Sequence, residues 1–142
     1  MVMDPRRRAK LNVFVQFTKG LAGLSTCSRL TVACTIFDEG LSKVHAIGYN
    51  GQPAGVPHSR CSGSQGSCGC VHAEANALVK LDTPDKGLVL YTTHSPCAHC
   101  AGLIINSGKI AKVLYNVEYR DAEPISLLKS AGIECVLLDP LT

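Results

Sequence analysis

The spacing of apolar residues changes several times along the 142-residue chain, and each change marks an element. From Asp4 to about Thr26, apolar residues recur at roughly helical spacing (Leu11, Phe14, Val15, Leu21), with Gly20 and Gly23 weakening the end. Leu30 to Phe37 is apolar and β-branched, as a buried strand is. Asp38-Glu39-Gly40 is a turn signal, and Val44 to Tyr49 is a second strand, so the two form a hairpin. Further on, helices are predicted over His72 to about Leu81, Cys97 to Asn106 (ended by Ser107-Gly108) and Ile125 to Ala131. Strands are predicted over Leu88–Thr93, Ile110–Tyr115 and Ile133–Leu138. Helices that alternate with strands in this way predict an α/β fold, a three-layer α/β/α sandwich on a five-stranded mixed sheet.

Gly51 to Gly69 breaks this pattern. It holds glycines at 51, 55, 63, 66 and 69, prolines at 53 and 57, and almost nothing apolar. A loop of this length in a compact domain is expected to be functional or held by a ligand. No repeat, linker or shift in composition divides the chain, so residues 1–142 read as one domain.

Composition narrows the function. At 46% hydrophobic and 18% charged, the chain can bury a core and is not of a disordered type. No run of about 18 apolar residues is present to span a membrane. Arg6, Arg7, Arg8 and Lys10 carry most of the net charge of +3. Such a basic start either touches nucleic acid or phosphate or is a solvated helix start; the second is the commoner use. It is not followed by the apolar stretch of a secretory signal. Eight cysteines without an export signal point to metal ligation or catalysis in a reducing compartment, hence the cytoplasm or a host cytoplasm.

Two short motifs carry the chemistry. His72-Ala73-Glu74 is followed by Pro96-Cys97-Ala98-His99-Cys100. Cys97 and Cys100, three apart at a helix start, turn both thiols to one side, where the helix dipole favours thiolates. Pro96 suits that position because its missing N–H is one the helix does not use. With His72 these are three zinc ligands, which leaves a fourth tetrahedral position open, as in catalytic rather than structural sites. Water there becomes acidic, and Glu74 is placed to take its proton and pass it to a ring nitrogen and a leaving amine. A lone C-x-x-C is as often a redox pair or half of a zinc ribbon, and a lone H-x-E is an ordinary helix start. Their joint occurrence at two predicted helix starts is the signature of zinc deaminases.

Four blocks, together with Tyr119-Arg120-Asp121, extend this to a family. They are Ser25-Thr26-Cys27-Ser28-Arg29-Leu30-Thr31-Val32, Gly48-Tyr49-Asn50-Gly51-Gln52-Pro53-Ala54-Gly55, His72-Ala73-Glu74-Ala75-Asn76-Ala77 and Thr93-His94-Ser95-Pro96-Cys97-Ala98-His99-Cys100. On these the chain resembles the deoxycytidylate (dCMP) deaminases of the cytidine-deaminase-like fold, over nearly its whole length. The resemblance implies zinc-dependent conversion of dCMP to dUMP, a homohexamer, and regulation by dCTP and dTTP with Mg²⁺ on the effector phosphates. It implies substrate contacts from Asn50, Ser25, Thr26, Ala73, Ser95 and Tyr119. Effector or phosphate contacts are implied for Gly48, Gly51, Arg29 and Arg120. Read from the residues alone, Gly48 to Gly51 is a strand ending in a turn. Two positions depart from the family. Leu24 stands where an Arg often precedes Ser-x-Cys, which puts phosphate recognition on Arg29 or Arg120 or points to a differently phosphorylated substrate. Ala33-Cys34 stands where Gly-Ala is usual, and Cys34 reads as a small buried hydrophobe.

Several relatives hold a structural zinc at the long loop. The resemblance therefore implies a closed site of Cys27, Cys61, Cys68 and Cys70, with His58 in reserve; free thiols or a disulfide are the alternatives. Cys135 is expected in the core, His45 exposed on a hairpin strand, and His99 turned away from the metal. His94 either edges the site or lies clear of it. Competing functions are deamination of free cytidine, of a base, of dCTP or of a modified dCMP, deamination within a nucleic acid, and nucleotide binding without chemistry. Three Phe, four Tyr and no Trp are poor stacking material for a nucleic acid, and Glu74 has no use in a purely structural site.

Overall fold

The computed structural model describes residues 3–57, 61–64 and 68–139. Its elements follow as α1 (Pro5–Ala22), β1 (Ala33–Phe37), β2 (Val44–Tyr49), α2 (Ala73–Lys80), β3 (Leu88–His94), α3 (Ala98–Ser107), β4 (Ile110–Val117), α4 (Glu123–Ser130) and β5 (Glu134–Leu137). The sheet order is β2-β1-β3-β4-β5. β1 runs antiparallel to both β2 and β3, whereas β3, β4 and β5 are parallel. This is the mixed sheet expected from the alternating pattern.

Strand alternation sorts the core into two layers. Cys34, Ile36, Leu90, Val113 and Tyr115 face α2, α3 and α4, where they meet Ala73, Ala77, Ala101, Ile104, Ile125 and Leu128. Phe37, Val89, Tyr91 and Leu114 face α1 and meet Leu11 and Val15. A pair of buried hydroxyls, Thr18 and Thr35, 2.8 Å apart, is sealed within the α1 layer. Cys34 is fully buried, as expected, and Cys135 packs partly buried against the α2–α4 layer.

Several boundaries differ from expectation, and three of the differences have a visible local cause. α1 stops at Ala22 because Gly23, Leu24 and Ser25 turn back with N–H bonds to Gly20, Leu21 and Ala22. β1 begins at Ala33, three residues late, because Leu30 and Val32 give their backbone groups to the Asn50 side chain instead of to a strand. α3 begins at Ala98, with Cys97 as its N-cap. The basic N-terminal run is a helix start: the Asp4 carboxylate caps it, and Arg7 pairs with Glu39 at 2.9 Å. His45 is not exposed; its side chain is only 5% accessible and faces the Asp85 carboxylate at 4.0 Å. The segment leading to β3 brings Asp85 to a position that period-2 alternation sends outward.

Candidate active site

Two helix starts face each other beyond the C-terminal end of β3. His72 caps α2 in extended conformation and makes no side-chain capping bond, so its ring is free to turn toward α3. Its Nδ1 lies 3.5 Å from the Cys97 sulfur and 3.4 Å from the Cys100 sulfur. Cys97 sulfur also caps α3, 3.5 Å from the Cys100 N–H. Tetrahedral zinc with bonds of ~2.3 Å to sulfur and ~2.0–2.1 Å to nitrogen separates such donors by about 3.5 Å, so the three atoms fit one ion. Hydrogen bonds from Cys100 and His72 hold the Cys97 thiol down to about 3. The Cys100 thiol is pushed up by Cys97 and by burial, and the Cys97 contact raises His72. Protons that crowd such a group are those a metal displaces.

Glu74 lies in the first turn of α2 and is 4% exposed. Burial raises its carboxyl above the usual range, against the lowering effect of a Thr92 hydroxyl at 2.8 Å from Oε1. The carboxyl also lies within hydrogen-bonding reach of Cys100. These groups line a cleft of about 570 Å³, a size suited to a small ligand. Asn50, Ala73, Ser95 and Tyr119 line it too, as do Arg29, Arg120 and Asp121. Ser95 is buried; its hydroxyl receives the Tyr119 N–H at 2.9 Å, and the Tyr119 ring stacks on His94 with centroids 5.8 Å apart. His94 thus supports the rim from behind. His99 is exposed.

Not every residue assigned by resemblance reaches this cleft. Ser25, Thr26, Gly48, Gly51 and Leu24 are absent from its lining among the described residues. Gly48 and Gly51 instead allow close approach within the fold: a Cβ on Gly48 would lie 2.3 Å from the Ala73 carbonyl oxygen, and one on Gly51 2.2 Å from the Thr26 hydroxyl. Asn50 is largely a clasp. Its Oδ1 accepts from Ser25 Oγ at 2.6 Å and Val32 N–H at 2.8 Å, while Nδ2 donates to the Leu30 carbonyl at 2.6 Å.

A second group lies beside the cleft. The sulfurs of Cys27, Cys61, Cys68 and Cys70 all fall within 4.8 Å of one another. Cys27 is 3.9 Å from Cys61 and 3.8 Å from Cys68, matching the separation of about 3.8 Å for ~2.3 Å tetrahedral zinc–sulfur bonds. Ser28 donates to Cys61 through its hydroxyl at 3.2 Å and its N–H at 3.5 Å, which with the Gly63 N–H holds that thiol down to about 6. Burial and the neighbouring sulfurs push Cys70 up, and Gln52 donates to it at 3.2 Å. All eight cysteines are free thiols. His58, the reserve ligand, lies outside the described residues.

Residues 9–117 match the family model described as the cytidine and deoxycytidylate deaminase zinc-binding region. The chain is 35% identical over 133 residues to the deoxycytidylate deaminase of Saccharomyces cerevisiae, covering 84% of this chain and 42% of that protein. It therefore spans about two fifths of the yeast relative's length. It is 37% identical to the deoxycytidylate deaminase of Mycobacterium phage D29, over 74% of this chain and 92% of that one. The structure of the dCMP deaminase from cyanophage S-TIM5 in complex with dCMP and dUMP superimposes with a TM-score of 0.81 at 30% identity, covering 96% of this chain and all of that one.

Proposed function

Because this chain belongs to the cytidine and deoxycytidylate deaminase zinc-binding family, we propose that it deaminates dCMP to dUMP by hydrolysis. The observation that carries the reading is the three-donor group of His72, Cys97 and Cys100 beside a buried carboxylate at a cleft with two arginines. The three donors would hold one zinc, which when bound would supply the Lewis acidity that makes water a nucleophile near neutral pH.

The residues of this chain supply the proton traffic and the orientation. Glu74 Oε1 is held by Thr92, so Oε2 takes a proton from the attacking water and delivers it to N3 of the pyrimidine. Oxygen bonds to C4, the second water proton passes by Glu74 to the amino group, and the C4–N4 bond breaks to release ammonia. Burial of Glu74 favours the protonated form needed in mid-reaction. Asn50, with one amide hydrogen left for a ligand, Ala73, Ser95 and Tyr119 form the pocket for base and sugar. Arg29 and Arg120 are its cations and receive the phosphate; they take the place of the cation missing at Leu24.

The fit of four sulfurs to tetrahedral geometry supports a second, structural zinc on Cys27, Cys61, Cys68 and Cys70. A homohexamer, and regulation by dCTP and dTTP with Mg²⁺, rest on the resemblance. Exposed Val79, Leu103 and Leu127 on α2, α3 and α4 are apolar surface that a subunit contact would cover. No described helix is long and apolar enough to cross a membrane; the reduced thiols support a cytoplasmic setting.

Purified protein assayed with cytidine, dCMP, dCTP and single-stranded DNA, with zinc per chain measured on the same sample, tests this. Turnover of dCMP with two zincs per chain is the expected result. Turnover of dCTP instead would replace the substrate, and zinc-loaded protein inert on all four would overturn the enzymatic reading.

A further inference from the structure

The four-sulfur cluster and the cleft share a wall. Cys27, Cys68 and Cys70 line the cleft as well as belonging to the cluster. Arg29, one of the two cleft cations, follows Cys27 by two residues, and the Cys27 sulfur accepts the backbone N–H groups of Arg29 and Leu30. The charge of Arg29 in turn acts on the Tyr119 hydroxyl across the cleft. From Leu30 onward the same segment is clasped by Asn50, through the Leu30 carbonyl and the Val32 N–H. Residues 27–32 therefore have two anchors: the sulfur cluster at one end and Asn50 at the other. Between them Arg29 is exposed and makes no ion pair among the described residues. The carboxyl of Glu74 is held from β3 by Thr92, outside residues 27–32, although the cluster's Cys70 stands two residues before His72.

From this division we infer that the Cys27–Cys61–Cys68–Cys70 cluster is a positioning element for Arg29, and that its integrity sets affinity for the anionic end of the substrate without setting the rate of bond breaking. The inference rests on the proposed deamination of a nucleoside monophosphate. It gives the long loop a specific role, in which a remote metal-binding cluster becomes the brace of a phosphate contact, so loss of the cluster weakens selection for phosphorylated substrate.

The variant that separates the two ends is Cys61→Ser, since Cys61 belongs to the cluster but does not line the cleft. Kinetics with dCMP and calorimetric binding of dUMP are measured for the parent, Cys61→Ser, Cys61→His, Arg29→Gln and the Cys61→Ser/Arg29→Gln pair. An oriented charge-assisted contact predicts a rise of about tenfold or more in both KM and the dUMP Kd of Cys61→Ser, with kcat within about twofold. Cys61→His, which keeps a fourth metal donor, restores both constants. In the Arg29→Gln background the Cys61 change adds little, because the two act through one contact. A fall in kcat at unchanged KM, or additive effects in the double variant, overturns the inference. Should Cys61→Ser melt below the assay temperature, Ser28→Ala is read in its place, and an unchanged dUMP Kd there overturns it equally. Failure of the proposed function shows separately, as absence of dCMP turnover by the parent.

Discussion

Thr92 Oγ1 lies 2.8 Å from Glu74 Oε1 and 2.9 Å from the His94 carbonyl oxygen, in a part of the core where Thr92 has no solvent exposure. A hydroxyl so placed serves either state of the carboxyl. It donates to Oε1 of ionised Glu74; when Oε2 carries the proton, it keeps that bond or donates to the His94 carbonyl instead. Thr92→Val removes the hydroxyl at nearly constant volume and leaves Glu74 buried without that partner. The expected outcome is a loss of about tenfold or more in kcat with dCMP, at unchanged zinc content, while Thr92→Ser keeps most of the activity. Equal kcat in the valine variant would show that Glu74 is held by other means.

Glu74→Gln tests the proton traffic itself. The amide keeps the shape and a bond to Thr92 but cannot shuttle a proton. With His72, Cys97 and Cys100 untouched, zinc content is expected to stay level while kcat falls about 10²–10⁴-fold. Single-turnover assays on zinc-quantified protein measure this; activity near the parent's would assign the shuttle elsewhere.

The elements and the His72, Cys97 and Cys100 group are legible in the sequence for different reasons, whereas the Cys27, Cys61, Cys68 and Cys70 group comes from the resemblance. Alternating periodicities locate the helices and strands because burial on a sheet face or a helix stripe repeats at a fixed interval. C-x-x-C and H-x-E are legible because a metal imposes local spacing, and the fold brings those three donors together. What stays hidden depends on contacts between distant segments. Nothing in the order of residues announces that Asn50 takes over the backbone of Leu30 and Val32 and delays β1. The same holds for His45, which is covered by a segment 40 residues away at Asp85. The Thr92–Glu74 contact, between β3 and α2, is equally hidden. Its only trace in the sequence is a hydroxyl in a strand that otherwise reads as core.

Asp38 makes a prediction about acid stability. Its carboxylate accepts from the Ser42 N–H and the Lys43 N–H, both at 2.7 Å, and from the Ser42 hydroxyl. Burial raises its pKa, but the Ser42 hydroxyl and these N–H groups together outweigh it and hold it at about 2. A carboxyl lowered on folding stabilises the native state above its unfolded value, near 3.9, and that contribution fades as pH falls toward 2. Asp38→Asn is therefore expected to destabilise by about 1 kcal/mol at pH 7, a modest figure because the group is largely solvated. The difference from the parent shrinks between pH 4 and about 2. Urea unfolding of both proteins across that range is the measurement, and a gap independent of pH would mean the turn is stabilised by something other than the charge.

Gly48 ties the sheet to the site. It lies in β2 under α2, where a Cβ would come within 2.3 Å of the Ala73 carbonyl oxygen and 2.6 Å of the Ala77 nitrogen. Both are backbone atoms in a helix, so they cannot swing aside as a side chain can; α2 must lift as a body. That helix begins beside His72 and carries Glu74. Gly48→Ala is thus expected to destabilise by about 1–3 kcal/mol, as overpacking does. It should also lower kcat, because a displacement of about 1 Å at a catalytic group costs up to ~10²-fold. The control is Gly102, on α3, with nothing within 4 Å of an added Cβ. Gly102→Ala is expected to melt at or above the parent's temperature and to keep full activity, in line with the higher helix propensity of alanine. Denaturant unfolding and dCMP kinetics on the two variants separate a close helix–strand approach from a general intolerance of added methyl groups, and equal behaviour of the two would remove Gly48 as the seat of α2.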